Sequence, residues 1–388
     1  MKKKIVILGS TGSIGKCLLN IIEKDLKSFE IVLLSANKNF KELFKQAKKF
    51  NVKNLIITDM ETYRYVSSTY KNNNFKIFNK FNNLDKILNK KVDYTMCSIV
   101  GIEGLYPTIK MIKYSKTIAI ANKETIICAW NLIKKNLKKY NTYFIPVDSE
   151  HFSIWSSVNS FTSNIEKIYL TASGGPFYKK KFSKLKNIKI HQALRHPTWE
   201  MGEKISIDSS TLMNKIFEII EAKKIFELNN NNLEILVHPD SYVHAIIKRN
   251  NGLINIIAHE TSMTIPIFNS LYWNSDKSLK TSPVNLKKLN SLNFSNVKKN
   301  NFPLIDLIKN IPENDSLFET VIVSANDYLV NLFLNKKIKY TKISKLLLKI
   351  LSMNKFTRFK KKIPMSIADI MDTRAFTLKE IKKLIFND

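Results

Sequence analysis

Along the first 150 residues, short apolar runs alternate with longer stretches whose apolar positions recur every three to four residues. The runs "KIVILG", "EIVLLSA", "NLIIT", "YTMCSIVG", "TIAIAN" and "TYFIPVD" read as strands. Residues 13–24 and 40–50 between them read as helices. Such alternation predicts an α/β fold whose N-terminal part is a Rossmann-like, doubly wound parallel sheet, with ligands at the carboxyl ends of its strands. Beyond residue 165 the pattern changes to short strands, including a hairpin turning at Asn250–Gly252, and one long amphipathic segment at 209–224. From 313 onward, "SLFETVIVSANDYLVNLFLNKK" and the tail have a helical pattern. The expected division is therefore a nucleotide-type domain at 1–147, an α+β catalytic domain at 148–273, a polar linker at 274–312 and a C-terminal helical domain at 313–388.

Composition narrows the function classes. Sixty-three lysines and arginines against 32 acids give a net charge of +31. The excess is lysine scattered with asparagine, as in "YKNNNFKIFNKFNN", rather than arginine gathered with aromatics, so no dedicated nucleic-acid partner is predicted. The field would still draw phosphorylated small molecules toward the protein. Cys17, Cys97 and Cys128 lie far apart with no C-x-x-C, which fits a reduced, cytoplasmic setting. The basic opening "MKKKIVILGSTG" has too short an apolar run for a signal peptide, and no run of 18 apolar residues predicts a membrane span.

Only nine glycines occur, where about 7% of positions would be ordinary. Eight of them fall in four short motifs: "GSTGSIG", "SIVGIEG", "TASGGPF" and "WEMGEK". The first follows a strand and opens a helix, the arrangement that sets backbone N–H groups and a helix dipole against a pyrophosphate. The second strand then ends in "SANKN", where Asn37, Lys38 and Asn39 stand without a carboxylate. A neutral-to-basic end accommodates a 2′-phosphate, so NADPH is the expected dinucleotide.

Two further places carry chemistry. In "IPVDSEHFSIW", Asp148 and Glu150 follow a strand, so an extended chain would point both the same way and Ser149 the other. The pair is either a solvated lead-in to the helix that "FSIWSSV" suggests or half of a cation site. In 209–224, Thr211, Asn214, Lys215 and Glu218 share one helical face, and Leu212, Met213, Ile216 and Phe217 cover the other. That stripe is either a wet face or a second part of the same site.

The pieces "GSTGSIG", "ANKE", "PVDSEH", "SGGPF", "HPTWEMG", "DSSTLMNK" with Glu218 beyond it, and "HPDSYVH" closely resemble, in this order, the 1-deoxy-D-xylulose 5-phosphate reductoisomerase family. They span most of residues 1–245, and "SANDYLVNLFL" is similar to the family's C-terminal helical region. The resemblance implies NADPH-dependent rearrangement and reduction of that sugar phosphate to 2-C-methyl-D-erythritol 4-phosphate, in the non-mevalonate route to isoprenoid precursors. It implies that Asp148, Glu150 and Glu218 hold Mg²⁺ or Mn²⁺, hard ions suited by all-oxygen ligation. Lys123, Ser149, Ser173, His196, Ser209, Asn214 and Lys215 match substrate contacts. Trp199 matches a flap, 194–204, that closes over the substrate. Thr11, Gly12, Ser13, Ile14, Asn122, Glu124 and Gly202 match positions near the cofactor. Lys123, Glu150, His196 and Glu218 are the implied catalytic residues, and a homodimer is the implied assembly. This chain departs from the family's pattern at Asn37, where glycine is common, at Asp240, where glutamine is usual, and in "HETSM", which replaces a Gly-Glu-Pro-Asp-Met-like run.

Two rival readings explain less. A plain NADPH-dependent dehydrogenase of the aspartate-semialdehyde or homoserine kind would leave the three carboxylates idle. A basic nucleic-acid-binding protein would need its lysines on one surface.

Overall fold

The computed structural model describes residues 1–70, 74–158 and 164–386. The early apolar runs are strands: β1 (Lys3–Leu8), β2 (Phe29–Ala36), β3 (Asn54–Ile57), β4 (Lys76–Phe78), β5 (Val92–Cys97), β6 (Ser115–Ile120) and β7 (Tyr143–Pro146). They form an all-parallel sheet in the order β4-β3-β2-β1-β5-β6-β7. Strand order reverses between β1 and β5, so the carboxyl ends of these two strands flank a topological switch point. Strand β4 escaped the sequence pattern because "KIF" is three residues inside a polar run. Lys71, Asn72 and Asn73 of that run lie outside the described residues.

Side chains Ile5, Ile7, Leu34, Leu55 and Met96 of this sheet are buried with Leu18, Ile22 and Leu43 of helices Ser13–Glu23 and Phe40–Lys49. The helix Thr264–Leu271 adds Ile267 and Leu271 to the same core. Two polar ties fix that late segment. Tyr94 Oη and Ser270 Oγ lie 2.7 Å apart, and Tyr272 Oη donates to Asp25 Oδ2 at 2.9 Å. The first compact unit thus comprises Met1–Thr125, Leu132–Asp148 and Met263–Leu279.

The second unit comprises Ile126–Asn131, Ser149–Ser262 and Lys280–Asp388. Its sheet is built from β8 (Ile165–Ala172), β9 (Leu233–Val237), β10 (Val243–Arg249), β11 (Ile254–Ala258) and β12 (Ser295–Asn296), in the order β11-β10-β8-β9-β12. All neighbours are antiparallel except β8 and β9. The β10–β11 hairpin turns where the sequence places it, with Gly252 at φ +86°. Residues 274–312, read as a linker, hold more structure than that. They include helix Leu286–Asn290, strand β12 and the 3₁₀ segment Pro303–Asn310. Phe302, Leu304 and Leu307 are buried, so widely spaced apolar residues anchor a stretch whose average composition is polar.

Two further expectations are corrected. The segment 209–224 is not one helix: Glu203–Ser210 and Met213–Ile225 are separate, broken at Leu212, whose φ of +68° cannot continue a right-handed helix. Thr211 therefore does not share a helical face with Asn214, Lys215 and Glu218. Nor is the polar stripe wet, since Lys215, Glu218, Glu221, Lys223 and Lys224 are all buried. Helix Leu317–Leu334, closed at its start by a Ser316–Glu319 capping box, is apolar and long enough to cross a bilayer. It is a core helix, with 78% of that stretch buried.

Candidate active site

In the first unit, the turn after β1 is shaped by glycine. Gly9 has φ +80°, and a side chain there would meet the Ser98 carbonyl oxygen at 2.7 Å, so only glycine lets the β1 and β5 loops approach this closely. Gly9 N–H donates to Ser35 Oγ at 3.0 Å and Ser10 N–H to the Ser35 carbonyl at 2.9 Å, tying the turn to β2. Helix Ser13–Glu23 follows with no side-chain cap and no acid in its first turn, which leaves the positive end of its dipole to a ligand anion. At the end of β2, Asn37 donates to Thr58 Oγ1 at 2.9 Å, and Asn39 caps helix Phe40–Lys49. Lys38 extends outward, 71% exposed, 3.9 Å from Asp59 Oδ2. Asn122 accepts from Thr125 N–H at 2.6 Å and donates to the carbonyls of Ile99 and Gly101, so it caps helix Lys123–Tyr140 and shapes the β5 loop together. Glu124 is buried beside it in sequence. Lys123 Nζ meets Asp148 Oδ2 at 2.5 Å.

In the second unit, Ser149 begins helix Ser149–Val158, which changes the geometry expected of the carboxylate pair. Glu150 lies in the first helical turn, where the dipole favours an acid, and is not on an extended chain. Ser149 does not point away from it: Ser149 Oγ donates to Glu150 Oε2 at 2.5 Å. Glu150 and Glu218 converge on one cation, since Lys215 Nζ lies 2.9 Å from Glu150 Oε1 and 2.5 Å from Glu218 Oε2. Burial opposes the charge on Lys215, but the two carboxylates outweigh it and hold the ammonium above the usual lysine range. Asn214 Nδ2 donates to Glu218 Oε1 at 2.6 Å. A donor set of carboxylate oxygens already arranged around a positive charge fits a hard divalent cation.

The loop after β8 carries Ser173, Gly174 and Gly175. A side chain on Gly175 would sit 3.0 Å from Ser210 Cα and 3.1 Å from the Ser209 carbonyl, so glycine permits this loop to abut the end of helix Glu203–Ser210. Ser173 Oγ accepts from Gly175 N–H at 3.0 Å and lies 2.9 Å from His196 Nε2. His196 Nδ1 accepts from the N–H groups of Thr198 at 3.3 Å and Trp199 at 3.0 Å. That ring is therefore the tautomer with its proton on Nε2, which donates to Ser173 and leaves the Ser173 hydroxyl hydrogen for another acceptor. Burial, with help from the Lys215 charge, lowers the His196 pKa to about 4. Residues 195–202 form the loop between helices Ile190–Leu194 and Glu203–Ser210, with Arg195, Pro197, Glu200 and Gly202 exposed. Gly202 has ordinary dihedrals and open space around it, so this conformation does not require glycine there.

The sequence reading missed several supports. His151 is wholly buried, with Nε2 3.0 Å from the Glu218 carbonyl and Nδ1 3.4 Å from Glu221 Oε2, and its place in "DSEH" beside Glu150 was the available signal. Asp208 accepts from Asn326 Nδ2 at 2.7 Å and pairs with Lys204 at 3.2 Å; Tyr340 Oη donates to the Ser210 carbonyl at 2.9 Å. No local pattern announces partners more than 100 residues apart.

A phosphate-type glycine turn in one unit and a carboxylate–lysine–histidine cluster in the other define a dinucleotide-dependent, cation-assisted enzyme. Three sequence-family models match this chain: 1-deoxy-D-xylulose 5-phosphate reductoisomerase over residues 5–130, its C-terminal domain over 144–226, and the DXP reductoisomerase C-terminal domain over 259–379. The reductoisomerase of Pelagibacter ubique is 56% identical over 385 residues, covering 98% of this chain and 99% of that protein. That of Clostridium novyi is 37% identical over 98% of both. The Zymomonas mobilis reductoisomerase solved in complex with NADPH superposes with a TM-score of 0.86 at 29% identity over the whole of both chains. A reductoisomerase solved with NADPH, fosmidomycin and magnesium gives 0.88 at 28% identity, over 99% of this chain and 97% of that one. The chain belongs to the 1-deoxy-D-xylulose 5-phosphate reductoisomerase family.

Proposed function

We infer that this protein converts 1-deoxy-D-xylulose 5-phosphate to 2-C-methyl-D-erythritol 4-phosphate, using NADPH and a divalent metal ion. The observation that carries the metal dependence is the convergence of Glu150 and Glu218 on the buried Lys215 ammonium. With Asp148, two residues before Glu150, they would hold Mg²⁺ or Mn²⁺. The ion would supply Lewis acidity toward the substrate's oxygens, and NADPH would supply the hydride.

The chain's own groups bind and orient. Ser173, Ser209, Asn214 and Lys215, with His196 and Ser149, donate to phosphate and hydroxyl oxygens. Lys123 neutralises Asp148, and Trp199 covers the carbon backbone when the flap closes and excludes water. Thr11, Gly12, Ser13 and Ile14 in the glycine turn, with Asn122, Glu124 and Gly202, are the residues assigned to the cofactor. Lys38 receives the 2′-phosphate between Asn37 and Asn39. The protein acts in the cytoplasm as a homodimer, without a nucleic-acid or membrane partner. The exposed Leu253, Ile254 and Ile256, at edge strand β11, offer a face for a second copy.

The test follows nicotinamide absorbance with substrate, NADPH and Mg²⁺, repeats it with a chelator, and repeats it with Glu218→Gln. Turnover should vanish with chelator and fall by about 10³-fold in the variant, while NADPH binding stays intact. Turnover indifferent to the chelator would refute the metal's role.

A further inference from the structure

The β10–β11 hairpin is regular except at its open end. Val243 pairs with Ala258 and Ala245 with Ile257, so His244 is the extra residue of a β-bulge. A bulge re-aims the side chain it carries, here that of a buried histidine. The ring of His244 lies flat on that of His259, the residue after β11, with centroids 3.7 Å apart and planes inclined by 16°. His244 Nε2 donates to the His259 carbonyl at 3.2 Å, His259 Nδ1 to the Glu260 carbonyl at 2.8 Å, and His259 N–H to the Tyr242 carbonyl at 3.0 Å. Carbonyls only accept, so each ring has a defined proton.

The indole of Trp199 stands edge-on against His244, at 6.1 Å and 74°. Its main-chain tie is to His196, and Thr198 Oγ1 adds a bond to Ser241 Oγ at 3.1 Å, just before β10. We propose that His259 is a positioning residue for the flap: its ring is the backing on which His244 rests, and His244 presents the surface against which Trp199 docks. Without that backing the bulged imidazole can turn away from the indole, and the flap keeps only its polar ties. The proposal rests on the reading that the flap covers the substrate. His259 opens "HETSM", one of the stretches where this chain departs from its family's usual run.

An aromatic stack of this kind shifts a local equilibrium by roughly 2- to 12-fold. The test compares His259→Gly with His259→Phe, which restores a flat ring without the Nδ1 hydrogen bond. Both are placed in a protein whose other tryptophans, Trp130, Trp155 and Trp273, are phenylalanine. Acrylamide quenching of Trp199 in the free protein should rise by about threefold or more in the glycine variant. The KM for the sugar phosphate should rise by a similar factor with kcat within about twofold, and the phenylalanine variant should reverse both. Unchanged quenching and KM in His259→Gly would overturn the proposal. So would a joint loss of kcat and KM that His259→Phe does not repair. Quenching needs no substrate, so failure of the parent protein to turn over would count against the proposed function and leave this comparison standing.

Discussion

At the scale of single residues, His196 links protonation to the flap. Its Nδ1 accepts two main-chain N–H groups, a role open only to the neutral ring. Its pKa falls from 6.5 to about 4 in the folded protein. As pH drops below 6.5 the unfolded chain takes up a proton there and the folded chain does not, so the contribution of His196 to stability should fall between pH 6.5 and 4 and be constant outside that window. His244, also lowered to about 4 by burial and by His259, acts in the same direction but is common to any His196 variant. Urea midpoints at pH 7 and 4.5 should therefore draw closer together in His196→Gln than in the parent, whereas equal separations would deny His196 this role. Residues of this kind were legible unevenly. Ser173, His196, Lys215 and Glu218 stood in motifs and do assemble within the second unit. The His244–His259 stack could not be read, because a bulge is a property of two paired strands and leaves no mark on either alone.

Among the elements, those with a strong local period were readable and those made by distant contacts were not. Strands β1, β2 and β6 fall where continuous apolar runs predict, whereas the run at 94–101 is strand only as far as Cys97, the end of β5. The break at Leu212 did not announce itself, since a buried leucine in the left-handed region is held there by packing and has no intrinsic preference for it. The break ends the helix that carries Ser209 and starts the one that carries Lys215 and Glu218. Helix Glu203–Ser210 is then fixed from outside by helix Leu317–Leu334, through Asn326 on Asp208 and Lys204 between Asp208 and Asp327. Asn326→Asp would replace the amide donor with a second buried carboxylate against Asp208, and should cost about 3 kcal/mol. Adding Asp208→Asn restores one donor and one acceptor, and should recover roughly half of the loss. Denaturation midpoints of the two single variants and the double variant check this; an additive double variant would show that the pair does not interact.

For the whole molecule, the charge of +31 is distributed less evenly than a count suggests. Acids are in short supply, and several are spent on buried lysines: Asp148 on Lys123, Glu150 and Glu218 on Lys215, Asp315 and Glu319 on Lys224. What remains at the surface is a still larger excess of solvated ammonium groups, whose mutual repulsion favours expansion of the chain. Such repulsion acts over a Debye length that shrinks to about 10 Å at 0.1 M salt, while the buried pairs are screened much less. Added salt should therefore stabilise this protein, and its Tm should climb between about 20 and 200 mM NaCl before it levels off. Over the same range, weak sequence-blind binding to duplex DNA should disappear, because dispersed lysines release counterions without reading bases. Melting scans and DNA titrations across one salt series test both arms. A Tm that falls with salt would mean that surface ion pairs outweigh the repulsion, and DNA binding that persists at about 200 mM would mean that the lysines form a concentrated site.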